Sequence, residues 1–195
     1  MRNAAGFHMQ PQDIRALEQQ LIAITADADK LLDGLSEQHG TRRPGPKSWS
    51  IAECFDHLAK TNNVYLRAMK YPAEKARREK RLRKGPATPG IVGTLFAKTL
   101  EPPPGFGFPA PGSIKPGAGL TLQQSVSAFR ESHERLRLFL IEHADLDLAN
   151  IEFSNPLPFS SFTLAAAFHV LAAHERRHLW QSWNIRRGLT GPGAR

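Results

Sequence analysis

Cysteine is almost missing from this chain. Cys54 stands alone among 195 residues, so no intramolecular disulfide can form and a secreted disulfide scaffold is excluded. Long apolar runs are missing as well. Nowhere do eighteen uncharged apolar residues follow one another, and the opening stretch MRNAAGFHMQPQDIRALEQQ lacks the apolar segment of a signal peptide. These absences lead us to expect a cytoplasmic protein with no membrane partner. Alternating apolar and polar residues of the strand type are also lacking, and no internal repeat is found.

What is present is globular in kind: 41% hydrophobic and 23% charged residues, a composition that forms one core over residues 1–195 rather than a disordered or fibrous chain. Basic residues outnumber acidic ones, with a net charge of +8. Most of the excess is local. Lys70, Lys75, Arg77, Arg78, Lys80, Arg81, Arg83 and Lys84 face only Glu74 and Glu79 between positions 70 and 84, eight against two, or +6 of the +8. Such a run could touch phosphate backbones or acidic surfaces, but its one aromatic is Tyr71, so base stacking has no support. A solvated helical extension is the expectation, and nucleic acid is not the expected partner.

Four segments carry the three-and-four spacing of amphipathic helices. The first runs from about Pro11 to Leu35, with Ile14, Leu17, Leu21, Ile24, Ala28 and Leu31 on one side. The second starts at Ser50, where Ser50 and Glu53 form a capping box; Ile51, Cys54, Phe55, Leu58, Tyr65 and Met69 make its stripe, and Pro72 is expected to interrupt it. From Gly85 to Leu120, eight prolines and eight glycines in thirty-six residues predict an irregular crossover without a long element. Thr121 and Gln124 open a third helix that reaches about Asp145. Thr163 caps a fourth, which Gly188 ends. The fold class predicted is all-α, a four-helix bundle with a long Pro/Gly-rich crossover between helices two and three.

Histidines occupy places where such a bundle needs apolar residues. At 100° per residue, His174 and His178 fall beside Ala167 and Leu171 on the inward face of the fourth helix, and four-residue spacing stacks two imidazoles that can share one metal ion. The alternative is a pair of ordinary histidines satisfied by backbone or water. His174-Glu175-Arg176-Arg177-His178 also matches the H-E-x-x-H helix of zinc metallopeptidases, with Glu175 as the candidate general base. The seventeen residues after His178 contain no His, Asp or Glu, so a third ligand has to come from upstream, and a zincin protease is disfavoured. His57, flanking the stripe of the second helix, is the best upstream candidate.

The segments PKSWSIAECFDHLAKTNNVY and SNPLPFSSFTLAAAFHVLAAHERRHLWQ resemble the DinB-like superfamily of four-helix metal-binding proteins, which includes the YfiT-like proteins described as metal-dependent hydrolases. In that family a Trp-Ser-x-x-Glu-x-x-x-His-Leu segment opens helix two, and an aliphatic-His-x-x-x-His-x-x-Gln segment occupies helix four. Here these positions are Trp49, Ser50, Glu53, His57 and Leu58, then His174, His178 and Gln181. The resemblance implies a divalent metal, zinc or nickel, on His57, His174 and His178. It also implies a reaction in which a low-molecular-weight thiol or a water is activated toward a small molecule, as in a thiol transferase, an isomerase or a hydrolase. A non-enzymatic metal-binding or anion-binding module using segment 70–84 is the rival.

Other residues carry weaker signals. His133 lies near the centre of the third helix's stripe at the height of His174; a fourth ligand or a supporting role is open, and a satisfied core histidine is the simpler reading. Glu53 reads first as the capping-box partner and Cys54 as core. His169, Arg176, Trp180 and Trp183 share another flank of the fourth helix, which the crossover, the first helix or a second subunit has to cover, so a homodimer is a minority expectation. His8, His39 and His143 show no pattern.

Overall fold

The computed structural model describes residues 10–105, 109–156 and 161–190. The segment carrying His8 lies outside these residues, as do parts of the crossover and of the loop before the last helix. The order is α1 (Gln12–Leu32), α2 (Glu37–Thr41), α3 (Ile51–Arg78), α4 (Gly90–Leu100), a 3₁₀ turn (Gly112–Ile114), α5 (Leu122–Glu142), β1 (Glu152–Phe153), β2 (Phe162–Thr163) and α6 (Leu164–Thr190). Helices α1, α3, α5 and α6 pack against one another as the bundle, and β1 and β2 form a two-residue antiparallel pair. The all-α expectation holds. Among the described residues no helix is long and apolar enough to cross a membrane.

The capping signals act where the sequence places them. Ser50 Oγ accepts from the Glu53 N–H while Glu53 Oε2 accepts from the Ser50 N–H, and Thr121 and Gln124 do the same at the start of α5. Each box satisfies two backbone donors that the helix itself leaves unpaired. Thr163 Oγ1 accepts from the Ala166 N–H at the start of α6. Gly188 lies within α6, which continues to Thr190, rather than ending it.

Pro72 does not interrupt α3. The proline removes one backbone donor and costs the helix about 3 kcal/mol, yet Met69, Ala73 and Ala76 on either side of it are fully buried, so the packed face carries the helix through. It ends instead at Arg78; Lys80, just beyond the cap, adopts a left-handed φ of 53°, and the Arg81 N–H closes back on the Ala76 carbonyl as in a Schellman ending. The chain beyond pairs with the segment after α5: Arg83 N–H donates to Asp145 O and Asp147 N–H to Arg81 O.

That pairing corrects the view of the basic run as wholly solvated. Lys70, Lys75 and Arg78 are exposed, but Arg77 holds the Asp145 carboxylate at 3.0 Å, Arg81 donates to Asn150 O at 2.6 Å and Arg83 binds Asp13 at 2.6 Å. These cations tie the ends of α3, α5 and α1 together.

The crossover holds a helix that its glycine and proline content hides. Positions 91–100 contain no proline, and α4 lies against α6. A Cβ on Gly93 would come within 2.7 Å of the Ala166 Cβ, so the two backbones approach as closely as small residues permit. The rest of the crossover is fastened at both ends. Arg176 of α6 grips the Glu101 carboxylate, while on α3 Lys60 donates to Lys115 O and Asp56 accepts from the Gly117 N–H.

On α6, the flank expected to need cover is covered in part by α1, since the Trp183 indole donates to Asp27 at 3.1 Å. Trp180 stays 38% exposed.

A Gly93→Val substitution should push α4 from α6 and destabilise the protein by roughly 1–3 kcal/mol, the usual cost of overpacking. Gly188, where an added Cβ would meet nothing within 4 Å, should accept alanine without loss. Equal urea midpoints for Gly93→Val and the parent would contradict the close approach of α4 and α6.

Candidate functional site

One turn and a half into α3, His57 points away from the hydrophobic stripe toward α6, where it meets His174 and His178. One ligand atom of each ring lies within 4.8 Å of the others, a group that could hold a metal ion. His57 and His178 are 3% and 7% exposed. The ring centroids lie 4.6 to 5.0 Å apart, and Trp49, carried by the loop ahead of α3, stacks on His178 and tilts against His57.

Two rings have their tautomers set by neighbours. His57 Nδ1 is 2.7 Å from the carbonyl oxygen of Ile114, which can only accept, so Nδ1 carries the hydrogen and Nε2 presents its lone pair. His178 Nδ1 likewise donates to Gln181 Oε1 at 3.0 Å. Such contacts orient imidazoles and raise their basicity as ligands. His174 is different. Its Nε2 lies 3.1 Å from His57 Nε2, while its buried Nδ1 has no hydrogen-bond partner among the described residues. Either tautomer leaves a fault: a hydrogen on Nδ1 turns two lone pairs toward each other, and a hydrogen on Nε2 leaves Nδ1 unsatisfied in the interior.

Burial holds all three imidazoles below the usual histidine range. For His174 the neighbouring His178 and His57 add to the effect, and for His178 His57 does so, with the Arg177 cation disfavouring a further charge on both. The rings are therefore neutral near pH 7, the form that ligates metals. A cluster of neutral nitrogen donors facing inward fits a borderline divalent ion such as zinc or nickel.

The triad forms part of the wall of a cavity of about 650 Å³. Much of the remaining wall is apolar and comes from three places: Trp49 before α3, Phe96 and Leu100 of α4, and Val170 and Leu171 of α6. Pro104, Pro109, Pro111 and Ile114 extend the wall along the crossover. The crossover thus supplies part of the wall of the site, and its Ile114 carbonyl also positions His57.

Glu175 does not take the place expected of a general base. Its side chain is fully buried and does not line the cavity; it faces α3 and α5 instead. Glu175 Oε1 accepts from Asn62 Nδ2 at 2.8 Å, and both carboxylate oxygens lie 3.0 Å from His133 Nδ1. His133 Nε2 meets the Leu21 carbonyl at 3.0 Å. Both ring nitrogens of His133 thus face acceptors, which suits the imidazolium; burial opposes that charge, and the Glu175 carboxylate overrides burial and raises the affinity for the proton. His133 is a satisfied core residue, with both ring nitrogens engaged away from the triad. Glu175 is its counter-ion, so the likeness to a zincin helix ends at the spelling.

Glu53 is occupied by its capping role and by Arg43, whose Nε donates to it at 2.8 Å. Cys54 is buried, and burial pushes its thiol up to about 12, so it is core and not a nucleophile. The Glu175 contact with His133, the Ile114 carbonyl and the walls of the crossover are the parts that sequence reasoning does not reach; of these, only the inward-facing His133 left a signal.

A family model described as the DinB superfamily matches residues 20–182. No curated protein and no solved structure gives a significant match.

The buried pair yields a signed expectation. Because the folded-state pKa of His133 is raised, the stability it contributes is fully present below the unfolded value near 6.5 and is lost as pH rises through the folded value. Glu175→Gln should cost about 3–5 kcal/mol at pH 6, as removal of one partner from a buried pair does, and distinctly less at pH 10, by urea unfolding. A cost independent of pH would contradict the charged pair.

Proposed function

This chain belongs to the DinB superfamily, and from that premise we propose that it is a metal-dependent enzyme that activates a thiol or a water toward a small molecule. The observation that carries the reading is the convergence of three neutral imidazoles on one wall of a largely apolar cavity. His57, His174 and His178 would hold the ion. Zinc and nickel are the ions that this donor set favours. When bound, a divalent ion supplies Lewis acidity that brings a coordinated thiol or water into its reactive form near neutral pH.

The chain's own residues divide the remaining work. Ile114 O and Gln181 Oε1 hold His57 and His178 in the tautomer whose Nε2 is free to ligate. Trp49 packs on both rings and restricts their rotation. Three protein ligands leave positions open for an exogenous group, the arrangement of catalytic rather than closed structural sites. The apolar walls lower the polarity around the triad, which strengthens electrostatic effects there. No carboxylate among the described residues lines the cavity as a base, so the proton of a coordinated thiol or water would pass to solvent, and a thiol, the stronger acid, would give it up more readily than water.

A small substrate suits this cavity better than a peptide, for the described residues offer no strand edge beside the triad on which an extended chain can pair. A lone buried cysteine fits a reducing cytoplasm, where low-molecular-weight thiols serve as co-substrates. The basic run offers a nucleic-acid role less than its charge suggests, since Arg77, Arg81 and Arg83 among its eight cations are engaged within the fold.

Elemental analysis of the purified protein should find about one divalent ion per chain, and alanine at His57, His174 or His178 should remove it. His133→Ala should keep it. Gln181→Ala should weaken the metal by about 10- to 100-fold, as loss of a ring-orienting partner does. Conjugation of electrophiles to glutathione, bacillithiol or mycothiol, lost in His57→Ala, supports the thiol reading; cleavage of casein that requires Glu175 would refute it. Full metal occupancy in His57→Ala would refute the ligand set.

A further inference from the structure

Within little more than one turn of α3, Asp56, His57 and Lys60 all reach the same short piece of the crossover. His57 Nδ1 donates to the Ile114 carbonyl at 2.7 Å, Lys60 Nζ donates to the Lys115 carbonyl at 2.9 Å, and Asp56 Oδ2 accepts from the Gly117 N–H at 2.8 Å. The two flanking side chains are also joined to each other, with Lys60 Nζ 2.8 Å from Asp56 Oδ2. Asp56 is 7% exposed, and a carboxylate held largely out of water makes the stronger hydrogen bonds. Positions 114–117 thus lie in a clasp built from one stretch of helix, with His57 at its centre.

The clasped piece is stiff enough to transmit that hold. Pro111 precedes the 3₁₀ turn and Pro116 follows it, each with φ fixed by its ring. Lys115, restricted by the proline after it, is extended at φ −61° and ψ 143°, and the Ile114 side chain is buried. A shift at Lys115 or Gly117 is therefore passed to the Ile114 carbonyl. That carbonyl decides where the His57 hydrogen sits. With it in place the hydrogen stays on Nδ1. Without it the competing form carries the hydrogen on Nε2 and donates it to His174 Nε2, 3.1 Å away, which uses up two of the nitrogens that a metal ion needs. The two forms have the same net charge.

We propose that Asp56 and Lys60 are positioning residues: by fastening the crossover at Gly117 and Lys115 they keep the Ile114 carbonyl on His57 Nδ1, and so keep hydrogen out of the space between the three rings. The consequence for metal affinity rests on the triad being the metal centre of the proposed enzyme; the tautomer does not.

Nitrogen-15 NMR of the whole protein, stripped of metal, reads the His57 tautomer, and zinc affinity by chelator competition reads its consequence. The parent should carry the hydrogen on Nδ1. Asp56→Ala and Lys60→Met should each move population to the Nε2 form and weaken zinc about tenfold, the low end of what loss of a ligand-orienting contact costs. Asp56→Asn keeps an oxygen that can accept from Gly117 and should recover most of the loss. Charge alone predicts a different order: removing the Lys60 cation would tighten a divalent ion, and Asp56→Asn would behave as Asp56→Ala. Either result would overturn the clasp. Asp13→Ala is the matched control, because Asp13 accepts from the Ala87 N–H at 2.7 Å and fastens the other end of the crossover in the same way, outside the cavity wall. It should lower the urea midpoint and leave tautomer and zinc unchanged; an equal tautomer shift there would make Asp56 a general stabiliser and overturn the assignment. The two readings fail separately. Zinc held at the triad, with tautomer and affinity unmoved by Asp56→Ala and Lys60→Met, removes the clasp and leaves the metal centre, whereas a shifted tautomer in a protein that takes up no zinc removes the metal centre and leaves the clasp.

Discussion

Three imidazoles packed against one another, His57 and His178 buried and His174 half-buried, are the constraint on which the rest of this structure depends. Two of them give their Nδ1 hydrogens to Ile114 and Gln181, which turns their Nε2 lone pairs inward, and the third sits 3.1 Å from its neighbour with no partner for its other nitrogen among the described residues. Protonation cannot relieve the conflict cheaply, because burial and mutual repulsion hold these groups neutral. Lone pairs forced together without protons are what a cation satisfies. The arrangement costs the fold stability on its own and makes chemical sense as a ligand set.

Around that constraint the bundle and the crossover share the work. Helices α3 and α6 supply the three histidines, while α5 and α1 back them through the buried Asn62, Glu175, His133 and Leu21 chain. Glu175 sits about a quarter turn round α6 from His174 and does not line the cavity, so the buried charge pair faces α3 and α5 rather than the triad. The crossover is held beside the site by close approach at Gly93 and by polar fastening to both α3 and α6. Its cover is apolar and its contribution to ligation is indirect, through a single carbonyl.

Much of this was legible in the residues. The four long helices follow from apolar spacing, both capping boxes from their spelling, and the inward histidines from wheel arithmetic joined to a family resemblance. Elsewhere local signals misled for physical reasons. Pro72 suggested a break because propensity is local, while the buried Met69 and Ala73 that overrule it are a tertiary effect. Helix α4 was hidden because prolines and glycines cluster on either side of a stretch without proline. Glu175 looked like a base because its motif specifies neighbours along the chain and says nothing of His133 across the bundle. The basic run resembled a free surface because the partners of Arg81 and Arg83 lie about seventy residues away in sequence.

A metal ion held between the three rings is what the proposed function requires above all. Anomalous diffraction from crystals of the protein purified without chelator, recorded above the zinc and nickel absorption edges, locates such an ion directly. The account predicts one strong peak within bonding distance, about 2.0–2.1 Å, of a ring nitrogen from each of His57, His174 and His178, with none beside His133. A peak ligated by His133 or Glu175, or none at the triad after incubation with zinc and nickel, would contradict it.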